Sequence, residues 1–221
     1  LLIVLEGVDG SGTSTQLPLL TSHIKRLSKY QDVLETHEPW EDDEIKRKLR
    51  EDKTPYSDGR LMAKLYVSDR VEHTNHIILP VIQAGGIVLT DRYKMSTCAY
   101  QWSQGVDLFD LIRMHENRGI LTPDLTILLD ITLELAQTRV RERILIENPD
   151  TLIEDKLEKF ERDLKFVEKT IEAYRCLAHM SVVDPKTFGK VVTKEGTNPI
   201  NEVATEISTY FDRLYPDWTK C

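Results

Sequence analysis

The stretch GVDGSGTSTQ, residues 7–16, sets Gly7, Gly10 and Gly12 just ahead of three hydroxyl residues, Thr13, Ser14 and Thr15. Glycines in a turn between a strand and a helix let successive backbone N–H groups converge on one point. The positive end of the helix dipole adds to them, and the result is a cradle for an anion. Gly7, four residues, Gly12 and then Ser14 follow the phosphate-loop pattern G-x-x-x-x-G-K-[ST], with Thr13 standing at the lysine position. The Ser14 hydroxyl suits Mg²⁺, which would bridge phosphate oxygens. Thr13 offers only a neutral hydrogen bond where lysine brings charge to the β- and γ-phosphates. The alternative is a glycine turn that merely joins a strand to a helix.

A cradle of this kind needs a strand before it and a helix after it. Short apolar runs at 1–6, 33–36, 86–90, 125–131 and 181–184 read as strands. Helix-like stretches lie at 13–29, 44–51, 59–84, 107–118, 133–147, 154–178 and 199–213. The alternation predicts an α/β fold in which a five-stranded parallel sheet is flanked by helices on both faces, with ligands at the carboxyl ends of the strands. Pro18 falls inside the first helix, where it removes one hydrogen bond and bends the chain slightly. Segments 52–59, 148–151 and 185–198 read as surface loops, the last inserted between the fifth strand and the final helix. At 221 residues the chain is expected to be a single domain, 1–221.

Bulk properties exclude some classes. A net charge of −8 argues against a nucleic-acid polymer as partner, since such binders usually present a basic surface. No apolar run approaches the roughly 18 to 20 residues of a membrane helix. The opening Leu1–Leu5 run has no basic start and leads straight into the glycine loop, as a buried first strand would rather than a signal peptide. Cys98, Cys176 and Cys221 are odd in number and lack C-x-x-C spacing, so neither a disulfide framework nor a zinc site is indicated and the cytoplasm is the expected setting.

"LEGVDGSGTSTQ" resembles the opening of thymidylate kinases, and five further segments follow in the family's order. "THEPW" at 36–40 is similar to the family's Arg-Glu-Pro strand end, and "LYVSDRVEH" at 65–73 to its Phe-Ala-Ala-Asp-Arg helix. "VLTDRYKMSTCAYQ" at 88–101 resembles its Asp-Arg-Tyr segment, "PDLTILLD" at 123–130 its fourth strand, and "FVEKTIEAYRCLA" at 166–178 the helix after the lid. The resemblance implies a three-layer P-loop kinase fold with a mobile lid at about 139–156. It implies transfer of the γ-phosphoryl group of ATP to dTMP, with Mg²⁺, giving dTDP and ADP. Dimers are common in the family, so a homodimer is compatible with it.

Site roles come with the resemblance. Asp9 looks like the loop carboxylate that bonds the deoxyribose 3′-hydroxyl, and Ser11 fills the loop place that some relatives give to arginine. Asp91 and Arg92, at a strand end beside the loop, resemble the pair that holds Mg²⁺ and clamps both phosphates; a planar guanidinium can bind two phosphate oxygens at once. A surface Asp-Arg ion pair is the plainer alternative. Tyr66 and Arg70 share a helix face, and match a ring stacking on thymine and an arginine bonding a base oxygen. Ser96 and Thr97 match base contacts and Tyr100 a ring that crowds the 2′ position, although all three could equally be helix packing. Glu38 resembles the acid near the substrate phosphate. Arg50, reached through one inserted residue, resembles the arginine that receives the monophosphate.

"TRVRERILIENPD" supplies Arg139, Arg141 and Arg143, so the chain resembles relatives that carry the catalytic arginine in the lid. Departures from the family pattern are Thr13, His37 before Glu-Pro, Trp40 for glycine, and "EKFE" at 158–161 for Asp-Arg-Phe-Glu. Lys159 is a further candidate for the lost loop charge. Two other readings stand beside the dTMP kinase: a weak or silent nucleotide-binding paralogue, and a kinase for another nucleotide.

Overall fold

A computed structural model describes residues 1–27 and 31–216. The end of the expected 13–29 helix and Cys221 fall outside the described residues.

The apolar runs that carry no alternation become the middle of a five-stranded, all-parallel sheet in the order β2-β3-β1-β4-β5. Strands β1 (Leu2–Glu6), β3 (Ile87–Asp91) and β4 (Leu125–Asp130) are buried almost throughout, as parallel strands covered on both faces must be. Their register sets Val4 level with Thr90 and Thr126. The edge strands β2 (Val33–His37) and β5 (Lys190–Glu195) are partly exposed, and charges such as Glu35, Lys190 and Lys194 protect those edges from pairing with another chain.

Two helices cover one face. Leu17, Leu20 and Ile24 of α1 (Thr13–Leu27) and Val203, Ile207 and Phe211 of α10 (Ile200–Leu214) pack on Ile3, Leu5, Leu89 and Ile127. On the other face lie α3 (Gly59–His73), α5 (Lys94–Ser103) and α9 (Leu164–Val183), with Met62, Cys98, Phe166 and Leu177 in one core. Each such side chain stabilises by roughly 1.5–3 kcal/mol when fully buried. The remaining helices are α2 (Asp43–Glu51), α4 (Leu79–Gln83), α6 (Leu108–Glu116), α7 (Leu133–Glu147) and α8 (Ile153–Lys156).

Four expectations are corrected, one of them the 154–178 helix, in which residues 157–163 are not helical. Residues 181–184 are not a strand: α9 runs on to Val183, leaving Val182 and Val183 77% and 82% exposed. Its buried positions, among them Thr170, Ile171, Tyr174, Leu177, Ala178 and Ser181, keep helical spacing to the end, and Ser181 Oγ donates back to Leu177 O at 2.7 Å. The fifth strand is β5, inside the segment read as a loop, where charged residues at an edge hide the strand pattern. The 59–84 helix is likewise interrupted by a π-helical turn at Thr74–Ile78. Pro80 has no N–H and its ring crowds the preceding turn; the wider turn, in which Leu79 N donates to Thr74 O, accommodates it.

Candidate active site

Strand β1 ends on a carboxylate that the core has to satisfy. Glu6 is fully buried; its Oε1 accepts from Tyr93 N at 2.9 Å and Ser96 N at 3.2 Å, and its Oε2 accepts from Ser96 Oγ at 2.5 Å. Burial pushes its pKa up, while the Ser96 bonds and the Arg92 charge pull the other way. This fastens the start of α5 to the start of the glycine loop. Gly7 is obligatory there because a Cβ would lie 2.5 Å from Ser11 Oγ and 2.9 Å from Leu129 O. Gly10, at φ +83°, also leaves a Cβ no room, with Ala136 O 2.8 Å away.

A cavity of about 730 Å³ opens over this loop at the carboxyl ends of β1 and β3. Residues Asp9 to Gln16 form its floor, and Asp91, Arg92, Arg139 and Arg143 stand in its wall. Ser14 and Thr15 are exposed, whereas Ser11 and Thr13 are buried. Asp91 Oδ1 is buried without a hydrogen-bond partner in the protein.

A second cavity, of about 150 Å³, adjoins the first. Tyr66 and Arg70 come to it from α3, Ser96, Thr97 and Tyr100 from α5, and Glu38 from the end of β2. Asp9 and Arg92 line both cavities. Arg92 adopts φ 70°, uncommon for a side-chain-bearing residue, and its Nη2 donates to Asp9 Oδ1 at 2.6 Å. Tyr100 donates to Asp9 Oδ2 at 2.9 Å, and the Arg92 guanidinium lies 5.4 Å from the centre of the Tyr100 ring. Burial disfavours the Arg92 charge, but Tyr100 and Asp9 hold its pKa well above the ordinary arginine value.

The order of motifs along the chain points to one family. A family model described as Thymidylate kinase matches residues 5–207.

The chain belongs to the thymidylate kinase family. The probable thymidylate kinase of Thermococcus onnurineus (strain NA1) is 36% identical over 192 residues, covering 82% of this chain and 91% of the relative. The thymidylate kinase of Wolbachia pipientis wMel is 30% identical over 207 residues, 93% of this chain and 99% of the relative. That of Desulfotalea psychrophila (strain LSv54 / DSM 12343) is 38% identical over 144 residues, 63% and 67% of the two chains. The protein is therefore a nucleotide-binding transferase of the kinase class.

For a thymidylate kinase family member the arginines are the informative part. Arg70 is 1% exposed: Nε donates to Glu38 Oε2 at 2.6 Å, and Nη2 to Tyr93 O at 2.9 Å and Thr97 Oγ1 at 3.1 Å. His73 Nδ1 stands 3.2 Å from the other Glu38 oxygen. Arg139 does not point freely into the phosphate-loop cavity. It donates to the carbonyls of Gly10, Ser11 and Gly196 at 3.2, 3.4 and 2.9 Å, tying α7 to the loop and to the turn after β5. Arg143, one turn on, donates to Glu161 at 2.5 Å. Arg141 falls on another face of α7 and lines a third cavity with Glu154, Glu161 and Arg162. Arg50 is exposed at the end of α2 and is in none of these cavity walls; its neighbour Leu49 is.

Lys159 does not serve the loop. It is fully buried and donates to Asp52 Oδ2 at 2.5 Å and to Ser57 Oγ and O at 2.7 and 3.0 Å, so it joins the segment before α9 to the loop after α2. Burial disfavours the Asp52 charge, but these bonds hold its carboxyl at about 2. Sequence reasoning also passed over Glu6, His73 and His115. A lone carboxylate closing the buried run Leu2–Leu5 was a usable signal for Glu6; the histidines had none, because their partners are distant in the chain.

Proposed function

We propose that the protein transfers the γ-phosphoryl group of ATP to the 5′-phosphate of dTMP, giving dTDP and ADP. The observation that carries this reading is the presence of Arg92 and Asp9 in the walls of both cavities. An oxygen of the acceptor phosphate forms the new bond to the γ-phosphorus, and the bond to the β,γ-bridging oxygen breaks with its electrons leaving on ADP. Phosphoryl transfer asks the protein mainly for alignment and charge neutralisation. Arg92 can touch donor and acceptor phosphates at once, the Gly10–Ser14 amides cradle the donor, and Tyr66 and Arg70 receive the thymine base.

A Mg²⁺ ion fits here on chemical grounds. Asp91 Oδ1 is buried and unpartnered, and the exposed Ser14 hydroxyl lines the same cavity. Among the described residues there is no cluster of three or more His, Cys, Asp or Glu side chains that could hold a metal, and a nucleotide-bound Mg²⁺ needs only one or two protein oxygens beside phosphate and water. When bound, it would neutralise charge on the transferring group.

Residues 139–156 act in this reading as a lid on the single domain 1–221, with Arg143 released from Glu161 on closure. Among the described residues no helix is long and apolar enough to cross a membrane, and Cys98 and Cys176 are free thiols, which supports a cytoplasmic setting. Homodimerisation through the helical faces is part of the proposal. The silent-paralogue reading is not favoured, because the Asp9–Arg92 pair stands between intact cavities. An ADP-release assay with MgATP tests the proposal: turnover with dTMP well above dUMP, dCMP and UMP supports it, and equal or absent turnover rejects it.

A further inference from the structure

Behind the smaller cavity, on the side away from solvent, His115 of α6 is fully buried against Arg70. Arg70 Nη1 lies 2.7 Å from His115 Nε2, and His115 Nδ1 lies 2.8 Å from Leu111 O. These two contacts decide the proton. A carbonyl oxygen can only accept, so Nδ1 carries hydrogen; a guanidinium can only donate, so Nε2 offers its lone pair. His115 is therefore a neutral imidazole with its hydrogen on Nδ1.

We propose that His115 is a positioning residue for the acceptor nucleotide, fixing the plane of the Arg70 guanidinium by accepting from Nη1. This rests on the reading of the smaller cavity as the dTMP site. Glu38 holds the guanidinium at Nε, Tyr93 O and Thr97 hold it at Nη2, and His115 supplies the acceptor on the Nη1 side. Three fixed edges leave a buried arginine no rotation, so its remaining Nη1 hydrogen keeps one direction. Such a guanidinium can recognise a carbonyl oxygen on a pyrimidine without first reorganising.

The electrostatics agree with this geometry. Burial, the Arg70 charge and that of Lys94, which reaches the same region from α5, keep the His115 pKa well below the usual histidine value, although its bond to Leu111 O acts the other way. A protonated imidazole would face two cations and lose its acceptor. Nothing in the local sequence LIRMHENRG marks this histidine, because Arg70 lies 45 residues away in the chain.

The test uses His115→Gln and His115→Leu in the intact protein. A glutamine carbonyl can still accept from Nη1; leucine fills space and leaves the donor unsatisfied, a change on the order of tenfold in an equilibrium. KM for dTMP should rise about tenfold or more in His115→Leu and stay within about threefold of wild type in His115→Gln, with KM for ATP unchanged in both. In the unliganded wild type, nitrogen NMR should show hydrogen on Nδ1 and a bare Nε2. Parallel losses in both variants, equal effects on the two substrates, or hydrogen on Nε2 would overturn the proposal. Arg70→Lys separates the two inferences. If it leaves KM for dTMP unchanged while the NMR result holds, the cavity assignment fails; if it raises KM but His115→Leu does not, the positioning role fails.

Discussion

Arg139 Nη1 donates to Gly10 O at 3.2 Å, so the glycine loop that lacks a lysine carries a guanidinium fixed to its backbone. The same nitrogen lies 4.0 Å from where a Cβ on Gly12 would stand, immediately before Thr13. A charge held this way is less mobile than a lysine ammonium, yet it adds to the same field over the loop amides.

Thr13→Lys should therefore fail to raise kcat and should lower it, because Thr13 is buried and a new ammonium would be placed close to the Arg139 guanidinium. Combined with Arg139→Ala, the change should be strongly non-additive. Steady-state kinetics of the two single variants and the double variant measure this; a clear gain from Thr13→Lys alone would contradict it.

Arg92→Ala should reduce kcat/KM for dTMP by about a hundredfold or more with the fold intact, since one guanidinium serves both cavities. Circular dichroism monitors the fold. Near-normal kinetics would remove Arg92 from the mechanism.

Lys94 gives a stability test at a residue that lines neither cavity. It is buried, and burial first, then the Arg70 charge, lowers its pKa to about 8 from an ordinary 10.5. Between those values the unfolded chain binds more protons than the native one, so stability rises with pH across that window. Lys94→Met should stabilise the protein most below pH about 8 and lose that advantage by pH about 10. Denaturant unfolding at several pH values reads the difference, and a constant difference would show that Lys94 does not titrate in this range.

Asp52 gives the opposite sign. Its carboxyl is held at about 2 against an ordinary 3.8, so the stabilisation is complete above the unfolded value and is lost as pH falls toward 2. Asp52→Asn should cost stability near neutral pH, and the deficit should shrink between pH about 4 and about 2. A deficit independent of acid would mean that the Lys159 contact matters through packing alone.

Local sequence determined the parts whose signal is local. The 7–16 stretch was legible from its glycine spacing ahead of the hydroxyl residues, although the atoms that crowd Gly7 and Gly10 include Leu129 O and Ala136 O from far along the chain. Buried parallel strands must be apolar without alternation, which made β1, β3 and β4 legible, and the Tyr66–Arg70 spacing follows from the helical turn. At the sheet edge the logic reverses: β5 must carry charge, so it looked like a loop, while the exposed valines ending α9 looked like a strand. Arginine roles were the least legible, because charge alone does not say where a long side chain finds its partner. Folding decided that Arg139 binds peptide carbonyls, that Arg141 turns to another face of α7, that Lys159 reaches Asp52, and that His115 stands behind Arg70. The Arg139, Lys159 and His115 contacts join residues far apart in the chain, because a polar group drawn out of water must meet whichever partner the packed elements bring to it.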